Sequence, residues 1–440
     1  MAKIQDRDRL YHLLRYYVDF MFKSAYRRVE YHGKEKIPRN GAIMYAPNHT
    51  NTLMDALAVL AIDRQAKVFV ARADVFKHPV ALQILTFLKM LPINRKRDGM
   101  ESLSKNEEIN DIVVDVLHDK VPFCILPEGV HRPMHSLLPL QKGLFRIALQ
   151  ANELFGNEMP LYIVPIGIEY GHFFRYRSSL LVQVGDPINV TQFVGKHPEL
   201  SAPQQINVLR DLLADRLKKV ILHIPDDTNY NATWELVQLY NKEQHRRLRL
   251  DGDSIINRFI AAKETIRSVA SSLQSHPRKT KKLLDLTNDF SRQRGALGIG
   301  MESLLKPHIR LLLIVKFLYL IVGFPFFISS IVATAPVTLL SIWLCSKFKD
   351  RAFHNTVRYL MALVWLPVFL LLGGITVGIV CTWIWGVLFA LLYLPSFLFL
   401  HEYIRLVRLF ISDIKWLFHR DLYRQFKEIK IMQTRLSFDF

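Results

Sequence analysis

Ala42-Ile43-Met44-Tyr45-Ala46-Pro47-Asn48-His49-Thr50-Asn51-Thr52-Leu53-Met54-Asp55 holds the key to this chain. An apolar run of strand length is followed by polar turn residues and then a helix start. On one continuous helix six steps rotate roughly 600°, so His49 and Asp55 would not share a face. His49 therefore belongs to the loop and Asp55 to the first turn of the helix, and Thr50, Asn51 and Thr52 are all good N-cap residues. Two readings compete. Thr52-Leu53-Met54-Asp55 has the pattern of a capping box, with His49 as an ordinary loop histidine. Alternatively, Asp55 orients His49 as a general base.

The pattern continues on both sides. Ala42–Ala46, Val68–Val70, Phe123–Leu126, Tyr162–Ile168 and Leu180–Val184 read as strands, and residues 54–62, 77–90, 103–118, 142–155 and 204–222 as helices. Strands alternating with helices indicate an α/β domain, a sheet flanked by helices, over residues 36–225. Before it, residues 7–27 place Leu10, Leu13, Leu14, Tyr17 and Phe20 at helical spacing among Arg7, Arg9, Arg15 and Lys23. That is a basic amphipathic helix within residues 1–35, suited to packing on its own domain or to lying in a membrane interface. Residues 226–308 are polar, with helical stretches near 233–250, 253–273 and 280–292, and read as a connector or cap.

The 440 residues carry a net charge of +19, and half of them are hydrophobic. No zinc-finger spacing, helix-turn-helix pattern or RNP aromatics accompany the charge, so nucleic acid is not the expected partner. Basic residues beside apolar runs attract anionic lipid headgroups and phosphorylated substrates. The three cysteines, Cys124, Cys345 and Cys381, have no metal or redox spacing. No metal, cofactor or disulfide framework is expected, which suits a cytosol-facing catalytic part. Met1–Asp6 lack the apolar core of a cleaved signal peptide.

Residues 311–346 and 360–400 are nearly free of charge. As helix they would measure roughly 54 and 60 Å, where one crossing takes about 20 residues. Positive residues flank both runs: Lys306 and Arg310 before, Lys347, Lys349, Arg351 and Arg358 between, Arg405 and Arg408 after. If all three flanks face the cytosol, each run is a membrane hairpin within residues 309–403. The expected bends are Gly323-Phe324-Pro325 or Ala335-Pro336 in the first, and Gly373-Gly374 or Gly378 in the second. Neither run has a polar tip, which favours shallow insertion for the first. A basic amphipathic tail, 404–440, completes the chain.

Further blocks carry chemistry only in combination. Leu91-Pro92-Ile93-Asn94-Arg95 sets a cation after an extended segment, and Lys96 and Arg97 follow. Phe123-Cys124-Ile125-Leu126-Pro127-Glu128-Gly129 ends a strand in a carboxylate turn. Lys142-Gly143 begins a helix, and Val164-Pro165-Ile166 sits in a buried strand. Taken singly, these read as a solvated basic loop, a turn or cap, a helix start and a core strand.

In this order the blocks resemble the phospholipid/glycerol acyltransferases, over about residues 36–225. The resemblance implies a glycerophosphate-acyltransferase-like sheet with a His49–Asp55 dyad. It also implies an acceptor-phosphate contact at Arg95 and an acceptor-binding turn at Glu128-Gly129, with Val164-Pro165-Ile166 as the fourth block. Asn48, Arg132 and Lys142 join the expected substrate-binding set. Two departures stand out. Five residues, not four, separate His49 from Asp55, and Gly129-Val130-His131-Arg132 replaces the usual Gly-Thr-Arg. Both look like the branch containing fungal glycerol-3-phosphate/dihydroxyacetone-phosphate acyltransferases.

The resemblance implies an integral membrane O-acyltransferase with its catalytic domain on the cytoplasmic face. It would move a fatty acyl group from an acyl thioester, carried by coenzyme A or a carrier protein, to glycerol phosphate. A lysophospholipid such as 1-acylglycerol-3-phosphate is the alternative acceptor. The competing class is a non-catalytic membrane-shaping protein, which would have no need of His49, Asp55, Arg95 and Glu128 together.

Overall fold

The computed structural model describes residues 3–94, 100–306 and 309–435. The chain divides into two compact units, Met1–Ile221 with Phe348–Tyr359, and Leu222–Lys347 with Leu360–Phe440.

The first unit begins with helix α1 (Arg9–Ser24) and strands β1 (Tyr26–His32) and β2 (Ala42–Pro47). Helix α2 (Leu53–Leu60), strand β3 (Val68–Arg72), helix α3 (Pro79–Phe87) and strand β4 (Met90–Ile93) follow. Next come helix α4 (Met100–His118), strand β5 (Phe123–Cys124), helix α5 (Gly143–Phe155) and strands β6 (Leu161–Tyr170), β7 (Ser178–Val184) and β8 (Ile188–Asn189). Helices α6 (Val190–Lys196) and α7 (Ala202–Val220) close the unit. The strands form one sheet in the order β1-β7-β6-β2-β5-β3-β4, and β8 pairs with β6. From β6 to β4 all neighbours are parallel. The antiparallel partners of β6 are β7 and β8.

Every residue of β2 is buried, as expected of a central parallel strand covered on both faces. Met44, Phe123, Leu117, Phe145 and Ile163 share the core over it. The parallel arrangement aligns the carboxyl ends of β2 and β5, and the loops that follow them carry His49 and Glu128. That edge is where open α/β sheets bind ligands. Helix α1 buries Tyr11, Arg15, Asp19, Met21 and Phe22 and leaves Leu13, Tyr16 and Phe20 exposed. It thus packs on its own unit with one face and presents apolar groups on another.

The second unit contains α8 (Tyr230–Arg247), α9 (Ile255–Ser275), α10 (Pro277–Ala296) and α11 (Met301–Leu304). The long helices α12 (Ile309–Lys347), α13 (Phe353–Val380) and α14 (Trp383–Phe418) follow, then α15 (Arg420–Arg435); the first seven residues of α13 belong to the first unit. Leu283, Phe290, Trp416 and Phe426 share a core in this unit.

Helices α12, α13 and α14 are each long and apolar enough to cross a membrane. Where two hairpins are expected, the chain forms three helices. Residues 309–347 are helical throughout, with Pro325 and Pro336 inside, so no turn interrupts the first run. A proline removes one N–H and crowds the carbonyl four residues back without stopping the helix beyond it. The second run does fold back, but at Cys381-Thr382 rather than at the glycines. The glycines serve packing instead. A Cβ on Gly386 would lie 2.4 Å from the Gly374 carbonyl oxygen and 2.9 Å from Gly378 Cα. Small residues of this kind let membrane helices approach backbone to backbone.

Candidate active site

β2 ends at Pro47 and the backbone stays tied to β6 for one more residue, with Asn48 N–H donating to the Ile166 carbonyl at 3.2 Å. The Asn48 side chain extends the pairing. Its amide donates to Ile168 O (3.1 Å) and its Oδ1 accepts from Ile168 N (2.7 Å). Asn48, one of the expected substrate contacts, has both ends of its amide bonded to a neighbouring strand, which fixes where His49 begins. The Val164-Pro165-Ile166 block is the stretch of β6 beside Tyr45, Ala46 and Pro47.

His49 sits in the loop and Asp55 in the first turn of α2, as the spacing requires. His49 Nδ1 lies 2.8 Å from Asp55 Oδ2. The capping box does not form, because Thr52 makes no side-chain cap bond. The carboxylate reaches past it to the loop, where Oδ2 also accepts from Thr50 N (2.8 Å) and Asn51 N (2.7 Å). Oδ1 accepts from the Tyr170 hydroxyl at 2.7 Å. Asp55 is fully buried under these four donors, while the His49 side chain retains 17% exposure. Burial and the neighbouring Asp55 charge push the Tyr170 phenol well above its ordinary value, so it remains a donor. With Nδ1–H directed at a carboxylate, the His49 Nε2 lone pair is the free one.

Thr52 adopts φ 47°, a region that costs a β-branched residue energy. Its hydroxyl meets Thr356 Oγ1 at 2.6 Å. Nearby, Asn51 and Asn355 both donate their amides to the Phe173 carbonyl. The Oδ1 atoms of both, and Thr50 Oγ1, are buried without a hydrogen-bond partner among the described residues.

Glu128 is buried beneath the histidine loop. Its Oε1 accepts from His49 N at 2.6 Å and its Oε2 from Leu138 N at 2.9 Å. The carboxylate expected at the acceptor thus clamps two loops together. Desolvation raises its carboxyl to about 7, against the lowering effect of those two N–H groups. An acid raised in this way keeps its proton in the folded protein after the unfolded chain has released it at about 4.5. Between those values folding stability falls as pH rises, and above about 7 the effect is complete. For wild type relative to Glu128→Gln we expect a loss of about 3 kcal/mol between pH 4.5 and 7.5. Denaturant unfolding at stepped pH measures it, and a difference that stays flat over that window would contradict the assignment.

Gly129 takes φ 70° to make the turn, with its N–H on the Leu126 carbonyl at 3.1 Å. Arg132 N–H donates to His49 O (3.1 Å), and its guanidinium reaches Ser136 Oγ (2.7 Å). The preceding His131 lies with its ring 5.6 Å from that of His49. Lys142 is exposed at the N-cap of α5. Its neighbour Gln141 is bonded through N–H to Pro127 O at 2.7 Å, which ties this end of α5 to the Glu128 turn. Arg95 lies outside the described residues.

Tyr170, His131 and the partners from residues 350–356 were not legible as site residues. Tyr170 is 115 positions from Asp55 and carries no local mark beyond ending the β6 strand.

Residues 28–169 match the family model described as Acyltransferase. The chain is 31% identical over 121 residues to Glycerol-3-phosphate O-acyltransferase 2 of Saccharomyces cerevisiae, covering 28% of this chain and 16% of that protein. It is 27% identical over 154 residues to 1-acyl-sn-glycerol-3-phosphate acyltransferase of Cocos nucifera, covering 35% of this chain and 46% of that one. The chain thus spans less than half the length of these relatives. A solved structure, the 1-acyl-sn-glycerophosphate (LPA) acyltransferase PlsC from Thermotoga maritima, aligns over 49% of this chain and 83% of that one. Its TM-score is 0.35 at 16% identity.

Proposed function

We propose that the protein is a membrane-bound O-acyltransferase, a reading supported by the match of residues 28–169 to the family model described as Acyltransferase. It transfers a fatty acyl group from an acyl thioester to a hydroxyl of glycerol-3-phosphate or dihydroxyacetone phosphate. The observation that carries this reading is the 2.8 Å His49–Asp55 contact at the carboxyl edge of the sheet, with Nε2 left over.

The acceptor hydroxyl gives its proton to His49 Nε2 as its oxygen attacks the thioester carbonyl. Asp55 holds the tautomer and stabilises the imidazolium. Collapse of the tetrahedral adduct breaks the C–S bond, and the departing sulfur takes the proton back from His49. No serine or cysteine nucleophile is needed, because the thioester is already activated. Arg95 is assigned to the acceptor phosphate, where a guanidinium offers bidentate bonds. The basic residues between α12 and α13 favour a cytoplasmic catalytic face.

A second acceptor, 1-acylglycerol-3-phosphate, is favoured by the likeness to the coconut protein. The test is thiol release from palmitoyl-coenzyme A by the purified full chain in detergent. We expect release that depends on glycerol-3-phosphate and exceeds that with the monoacyl form. The reverse order selects the second acceptor, and release independent of any acceptor rejects acyl transfer.

A further inference from the structure

The catalytic unit includes Phe348–Tyr359, the link between α12 and α13 with the first two turns of α13. Its attachments are specific. Thr356 bonds to Thr52, Asn355 to the Phe173 carbonyl, and Tyr359 hydroxyl to Val18 O at 3.2 Å. Most telling is Asp350. Its Oδ2 lies 2.7 Å from Nε2 of His131, across 219 positions of sequence. Its Oδ1 accepts from Ala352 N at 2.9 Å, which fixes the carboxylate relative to the link. Phe353 packs edge-on against the same imidazole at 5.4 Å. His131 is therefore held on two sides, with its ring against that of His49. Burial opposes ionisation of Asp350, but the Ala352 N–H and His131 outweigh it and hold the carboxyl below the usual range. Nε2–H of His131 then points at Asp350, and the opposite edge of the ring, Nδ1, is left for a ligand.

We infer that this link is a wall of the acceptor site, and that Asp350 is a positioning residue that sets His131 Nδ1 to accept a hydrogen bond from a hydroxyl of the acceptor beside His49. The inference rests on the acyltransferase reading above. The Asp350 side chain is half exposed, and a pair of that kind adds little to stability. A role in holding substrate is what its geometry leaves.

The experiment uses the full chain in detergent with sn-glycerol-3-phosphate and palmitoyl-coenzyme A. For Asp350→Asn we expect the acceptor KM to rise about tenfold, with kcat and the donor KM within about threefold of wild type and melting unchanged. His131→Ala should show at least the same rise, and the double variant should be no worse than His131→Ala alone. Asp350→Glu should recover most of the acceptor affinity. Calorimetric binding of sn-glycerol-3-phosphate should follow the same order and needs no turnover. Asp350→Asn with wild-type acceptor affinity would overturn the inference, as would effects of the two single changes that multiply. A wild type that binds the acceptor without transferring acyl groups would reject the proposed function while leaving the positioning role open to the binding series.

Discussion

His49→Ala is expected to lower acyl transfer by about 10²–10⁴-fold, the range in which a positioned general base contributes. The loss should be confined to chemistry. The His49 backbone keeps its N–H on Glu128 and its carbonyl on Arg132, so the loop retains both of its anchors. Asp55 loses one donor of four and keeps Thr50 N, Asn51 N and the Tyr170 hydroxyl. Because the imidazole is partly exposed, its removal leaves a dent rather than a sealed cavity. The measurement is kcat for thiol release at saturating donor and acceptor, beside a melting curve. A folded variant with more than a tenth of wild-type turnover would remove the histidine from the proton transfer.

Lys316→Met is expected to destabilise the helices of the second unit by about 3 kcal/mol. Asp413 on α14 is fully buried and pairs with Lys316 on α12, and Lys306 stands 3.6 Å away. Charges inside apolar helices persist when they find one another. Deleting one partner strands the other, and for buried pairs this costs about 3–5 kcal/mol. Lys306 covers part of that loss, which sets the expectation at the lower end. Replacing both, Lys316→Met with Asp413→Leu, should restore most of the stability, since a packed apolar pair needs no compensation. Thermal melting in detergent distinguishes these outcomes. Equal melting of wild type and Lys316→Met would make the pair incidental to the α12–α14 packing.

The α/β unit was legible because its strands and helices differ in period and are separated by turn residues. The placement of His49 in the loop and Asp55 at the helix start was legible because six steps along one helix would set them on different faces, while their pairing rested on the resemblance. Asn48 and Glu128 stand among the expected substrate contacts because a polar residue at the end of a strand looks the same whether it faces ligand or backbone. Only the register of β2 against β6 reveals that Asn48 is occupied. The first membrane run is one helix although its prolines suggest a bend. Within a long apolar helix the remaining hydrogen bonds carry the chain past them. The Gly374 and Gly386 approach was invisible for a related reason: a glycine that admits a neighbour and a glycine that turns the chain are the same letter. Asp350 had no signal at all, because its partner is fixed by topology rather than by spacing.

The first unit is discontinuous, leaving off at Ile221 and resuming at Phe348 with 126 residues between. A ribosome adding about 5–20 residues per second needs roughly 6–25 s to make that interval. The histidine loop thus emerges well before the segment that closes beside it, and α12 must be synthesised first. A nascent chain halted between Ile221 and Phe348 would hold the His49–Asp55 pair without the segment that closes beside it.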